Sequence, residues 1–271
     1  MNNMKRLYFI LSLMLLGVLN SFGQITLTSR ATGDWNSANT WLSANLTGTI
    51  STLTTSATVT GVGTSFTTEL AVGAVLYRTD GTTAIGTVQS ITNNTTLVLT
   101  GNAANTNSGI NFRTRKIPGT NDHAVIANTH TVTLTDDRTC ASLVVGGGVS
   151  GIFNSTSGDD LTVTGNVTIN AGAVFQPTGD NNFTLRGNLL NNGTFNANNG
   201  GSDMAVTFNG ATQSISGTGT FTFDDLTFTN NTTTTLGVSL TAIAGSLSVD
   251  AGATLDMGTF NIGTPSALNL E

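Results

Sequence analysis

Three adjacent aspartate pairs, Asp136-Asp137, Asp159-Asp160 and Asp224-Asp225, are the first candidates for chemistry in this 271-residue sequence. Glycoside hydrolysis needs two carboxylates about 5–9.5 Å apart, one acting as acid and one as base or nucleophile. Neighbours along a strand point to opposite faces, so a sequential pair does not meet that need by itself. Carboxylates from successive turns of a repeat could converge, but Asp160 and Asp225 lie 65 residues apart. Three strand spacings would put them about 14 Å apart. Each pair also precedes a strand or turn, where aspartate serves as a turn residue, and that is the plainer reading. The full spacing of a calcium-binding repeat is missing around them. A lyase would want a Lys or Arg base, and only Arg138 and Arg186 fall within the repeats.

The remaining chemistry-bearing residues are few. His123 follows Asp122 in a turn and His130 begins a strand, with no His-x-x-x-His or Glu-x-x-His spacing to hold a metal. Cys140 is the single cysteine, so no intramolecular disulfide forms, and its apolar surroundings predict a buried structural thiol. Both tryptophans, Trp35 and Trp41, fall within seven residues. They read either as stacking platforms for a sugar ring or as a plug for an open end of a repeat array. The plug is preferred, because an array must cover its first unit and large aromatics bury the most area. No catalytic residue, metal or cofactor is expected; Trp35 and Trp41 are the one candidate binding pair.

The elements that must position these residues announce themselves by repetition. An apolar–Thr/Ser–apolar triplet returns as Leu161-Thr162-Val163, Phe183-Thr184-Leu185, Val206-Thr207-Phe208, Leu226-Thr227-Phe228 and Leu247-Ser248-Val249. The first positions 161, 183, 206, 226 and 247 differ by 22, 23, 20 and 21. Such periods signal an array, and each triplet is a short strand with two side chains inward and one hydroxyl outward. A second match pairs the run starting at Gly165 with the run starting at Gly245, an offset of 80 that reads as four coils of about 20. Strands this alike predict a parallel β-helix rather than a sandwich, whose strands need not resemble one another. The outward threonines Thr162, Thr184, Thr207 and Thr227 also permit an ice-binding ladder, but threonine is a favoured solvent-facing strand residue in any case.

Composition and the N-terminus set the compartment. Only 9% of residues are charged, where about a quarter is usual. The net charge of −6 becomes −8 without Lys5 and Arg6, and the seven other basic residues are scattered. That excludes nucleic acid and a polybasic membrane surface as partners. Lys5-Arg6, twelve mostly apolar residues over 7–18 and Ser21-Phe22-Gly23 spell a secretory signal peptide cleaved before Gln24. Twelve residues fall short of the roughly 17–25 of a spanning helix, so no membrane span is expected in the mature chain.

Between the leader and the repeats lie two more segments. Residues 24–45 read as an entry or cap segment, and 46–116 as a small antiparallel β-module of about five strands, with turns at Asp80-Gly81 and Asn93-Asn94. The stretch from Gly61 to Phe66 followed by Leu70-Ala71-Val72-Gly73 resembles small β-modules of phage-tail and other surface proteins. The coils run over 117–271, with no cap visible in the last residues, as in a fragment or a coil that meets a partner.

Trp35, Trp41, Pro118, Asp122, His130, Val132, Leu134, Cys140 and Leu143 together carry a resemblance to exported Gram-negative bacterial surface proteins with right-handed parallel β-helix repeats. The stretches 212–219 and 223–227 look like the same group. The entry segment is more loosely similar to the eight-glycine domain of extracellular glycan-associated proteins. The chain departs from both by the insertion at 46–115. The resemblance implies an all-β, right-handed parallel β-helix with an adhesin-like role at the cell surface. The reading is therefore a secreted or surface-exposed structural or adhesion protein without catalysis, partnered by an extracellular glycan or another surface protein. The alternative is an extracellular carbohydrate-binding or polysaccharide-degrading protein.

Overall fold

A strand of three or four residues leaves backbone N–H and C=O groups unpaired along both edges and buries only two side chains. It persists only between equivalent strands. The computed structural model describes residues 24–148, 150–229 and 231–271; the expected leader lies outside them. The chain meets the strands' need by winding into a parallel β-solenoid of about seven turns, nearly all β, with a curled antiparallel sheet near the N-terminus.

Each full coil contributes a strand to each of three faces. The first face stacks Thr26–Ser29, His123–Ile126, Ser142–Val145, Val167–Ile169, Leu189–Asn191, Thr212–Ser216, Thr233–Leu236 and Thr254–Asp256. Gly33–Asp34, Thr131–Leu134, Ile152–Ser155, Val174–Pro177, Thr194–Asn196 and Thr220–Thr222 form the second. The third face holds the repeated triplets. Leu161, Phe183, Val206, Leu226 and Leu247 stand in one register, so the intervals in the sequence are true coil lengths. The outward column Thr162, Thr184, Thr207, Thr227 and Ser248 follows from the same register.

The offset of 80 does not mark a coil repeat. Val167 pairs with Leu143 and Leu189 on the first face, whereas Leu247 pairs with Leu226 on the third. Strands that follow a tight corner share a pattern whichever face they enter, and the offset superposed two different faces.

Inside, the alternation buries phenylalanine over phenylalanine. Phe153, Phe175 and Phe195 stack on the second face with centroids 4.6 and 5.1 Å apart, and Phe208 stacks on Phe228 at 5.5 Å. One corner is closed by glycine. At Gly187 a Cβ would meet the backbone carbonyl carbon of Gly165 at 2.2 Å, and at Gly210 the carbonyl oxygen of Arg186 at 1.9 Å. Coils approach there too closely for any side chain.

The entry segment is more than a cap. Residues 26–34 already form the first two strands of the solenoid, paired in parallel with Thr26 opposite His123 and Val132 opposite Gly33. The chain then turns through a 3-10 turn at Ala38–Thr40, and Trp41–Ser43 runs back antiparallel along Thr26–Ser29. Seven strands follow rather than the expected five: Thr49–Thr52, Thr58–Val62, Val75–Arg78, Ala84–Asn93, Thr96–Leu99, Asn107–Ile110 and Phe112–Arg115. The strands at 107–110 and 112–115 carry Asn, Ser, Gly and Arg, which blunts the β-branched signal that marks a strand in sequence.

Truncation of Phe175 to alanine should cost about 3–5 kcal/mol, because it opens a cavity between three aromatic neighbours. Thr184→Ala on the outward column should stay within about 0.5 kcal/mol. Thermal unfolding of the two variants beside the parent chain measures both.

Candidate functional site

The corner between the second and third faces is where the chain gathers its carboxylates. Asp160, Asn182, Ala205 and Asp225 occupy one register position, immediately before the repeated triplet. Asp180 and Asp203 occupy another, three residues before it. With Gly158, Asn181 and Asp224 they line an open groove of about 410 Å³. Asp180 and Asp203 had not been singled out in the sequence, since neither is paired. Counting back from each triplet in register would have collected them.

Three of the five aspartates in the groove are committed to the coil beyond. Asp160 Oδ1 accepts the backbone N–H of Asn182 at 2.8 Å, Asp180 Oδ1 that of Asp203 at 3.2 Å, and Asp225 Oδ1 that of Ser246 at 2.7 Å. Asp137 does the same for Asp160 at 2.9 Å. Asparagine repeats the device at the corner between the third and first faces, where Asn166 serves Asn188 and Asn188 serves Ser214, both at 2.9 Å. Corner backbone donors have no strand partner, and a side-chain oxygen one coil below supplies the acceptor.

Among the described residues Asp203 and Asp224 make no such bond to the next coil; Asp224 Oδ1 accepts only from Asn198 Nδ2, at 3.1 Å. Its carboxyl is pushed above the ordinary carboxylate value, first by desolvation, then by the negative charges of Asp203 and Asp225, against the lowering effect of Asn198. Among the described residues no group of three or more His, Cys, Asp or Glu side chains is arranged to hold a metal ion.

The other candidates lie apart from this groove. Trp35 and Trp41 are both fully buried, 4.9 Å between centroids in an edge-to-face pair, with Trp41 Nε1 donating to the Trp35 carbonyl. Trp35 also meets Phe153 edge-on at 6.1 Å, so it stands at the foot of the aromatic column. Neither presents a ring face to solvent. Cys140 is fully buried, and desolvation, with Asp122 second, pushes its thiol up to about 12, which keeps it protonated and unreactive. His123 Nδ1 pairs with Ser142 Oγ at 2.5 Å and His130 Nδ1 with Ser29 Oγ at 2.9 Å, each tying two strands of the solenoid together.

No family model matches the chain, no curated protein is detectably similar to it, and no solved structure matches it. Among the described residues no helix is long and apolar enough to cross a membrane.

Because its folded-state value is raised, Asp224 contributes stability below the ordinary carboxylate pKa, and that contribution is lost as pH rises through the folded value. Asp224→Asn should therefore raise the melting temperature at pH 7, by on the order of 1 °C given its partial exposure. The gain should vanish near pH 3. Asp225→Ala should cost about 1 kcal/mol at pH 7 through loss of its bonds to Ser246. Melting curves of both variants across pH 3–8 give the sign of each effect.

Proposed function

We propose that the chain is a secreted or cell-surface structural protein of adhesin type, a right-handed solenoid shaft that works by presenting a long stable surface and not by catalysis. One observation carries this reading. Four of the aspartates that could have formed a reactive site along this corner, Asp137, Asp160, Asp180 and Asp225, are spent on holding one coil to the next. The basic, apolar and small-residue succession of residues 5–23 supports export, and the low charge suits an extracellular solenoid. An extracellular glycan or another surface protein is the partner such a shaft would meet.

Carbohydrate binding or polysaccharide cleavage is the second reading, and one observation favours it. The acidic groove is open, and its Asp224 is a half-buried carboxyl of raised pKa beside the carboxyls of Asp203 and Asp225. Glycoside hydrolysis uses a pair of carboxyls with different environments.

Tryptophan emission of the mature protein should be blue-shifted, resistant to acrylamide and unmoved by a panel of soluble polysaccharides. The same panel, assayed for new reducing ends, should yield none above an Asp224→Asn control. Reducing ends that appear with the parent chain and disappear in that variant would transfer the assignment to the groove. N-terminal sequencing of the protein released by the native cell should begin at Gln24.

A further inference from the structure

The curled sheet near the N-terminus could be a head tethered to a shaft or a part of the shaft's own closure. Its contacts decide between these. The strand Trp41–Ser43 is hydrogen-bonded to the first solenoid strand, and the last module strand, Phe112–Arg115, lies against its other side. Thr114 N–H donates to Ser43 Oγ at 2.9 Å, and Leu46 N–H to the Phe112 carbonyl at 2.9 Å. A hydrogen-bonded path thus runs from the coils at His123–Ile126 through Thr26–Ser29 and Trp41–Ser43 into the module.

Arg115 fastens that path at its far end. Its guanidinium lies 4.1 Å from the Tyr77 ring centroid, donates to the Gly81 carbonyl at 2.5 Å and reaches Asn39 Oδ1, in the turn before Trp41, at 3.3 Å. One side chain therefore grips the strand Val75–Arg78, the turn after it and the entry segment together. Gly81 completes the fit. Its φ of +67° and the 2.4 Å that a Cβ would leave to Leu42 Cδ2 show the module's turn pressed onto the return strand. Elsewhere a cleft of about 330 Å³ opens between Ala71 and residues 116–122, the latter held together by Lys116 Nζ and Asp122 Oδ1 at 2.8 Å. The tight side is the one that meets the return strand.

We propose that the inserted module is the lock on the N-terminal end of the solenoid: Arg115 and the Gly81–Leu42 contact hold the return strand over the first coil, so that module, return strand and first coils open as one unit. A terminal coil has no neighbour on one side, and an array gains its stability from neighbours. A lock at this place supplies the missing interface.

Hydrogen exchange of the full chain in mild denaturant, read by mass spectrometry on segments 75–78, 41–43, 123–126 and 226–228, tests this. In the parent chain the first three segments should share one opening equilibrium. Arg115→Gln should speed exchange about tenfold in all three, with the effect fading by 226–228. Arg115→Lys, which keeps the charge over Tyr77 but loses the fork, should fall between. Gly81→Ala should give the same pattern as Arg115→Gln by an independent contact. If acceleration in these variants stops at the module and leaves 123–126 untouched, the module is a tethered head and the proposal fails. If Arg115→Gln does not fold at all, Arg115→Lys alone decides, by whether 41–43 and 123–126 move with 75–78.

Discussion

Every feature of this molecule depends on one constraint: each coil must lie in register with the coil below it. Backbone pairing between equivalent strands fixes the axial rise at about 4.8 Å per coil. Any residue that differs between coils must fit that rise. Inside, the constraint is met by apolar on apolar, phenylalanine stacked on phenylalanine on the second face and leucine, phenylalanine and valine alternating in one column on the third. At the corners, where strands stop and backbone donors lose their partners, it is met by aspartate and asparagine reaching one coil along the axis. A corner without an acceptor would leave a donor unpaired at each turn, a cost that repeats with every coil.

The same constraint concentrates charge. Because corner positions recur, an acidic residue suited to one coil is suited to the next. The carboxylates then line up on a single edge with no lysine or arginine among the residues lining the groove. Asp160, Asp180 and Asp225 are compensated by the backbone N–H groups they accept. Asp224, with one amide partner, carries the residual repulsion. A groove of this kind looks like a reactive site while arising from the requirements of stacking, and it is the exceptional residue, not the cluster, that deserves a chemist's suspicion.

The parts of this architecture that were legible in sequence are those set by side-chain alternation. The triplets from Leu161 to Val249 gave strand, face and period, because two inward apolar residues flank one outward hydroxyl wherever a strand must be half-buried. Trp35 and Trp41 were read as a plug in preference to a platform, because an array must cover its first unit, and both lie fully buried. The acidic edge was hidden because the corners vary in length, so Asp180 and Asp203 fall at no fixed distance from the aspartate pairs and align only when counted from the triplets. Two strands of the module were hidden for a different reason: their residues are held by hydrogen bonds to Thr52, Ser43 and Val75 and not by apolar alternation.

The corner acceptors have an evolutionary corollary. A coil inserted between Asp137 and Asn182 would find a side-chain oxygen below it for its own turn, whereas at Ala205 the series is interrupted. Asp137 serves Asp160 and Asp160 in turn serves Asn182, so that Asp160 is both recipient and provider. Duplicating a stretch of about 22 residues at that place in the gene would therefore lengthen the protein without demanding compensating substitutions at either seam. Length in such a stack is set by the number of coils and not by any single long-range contact.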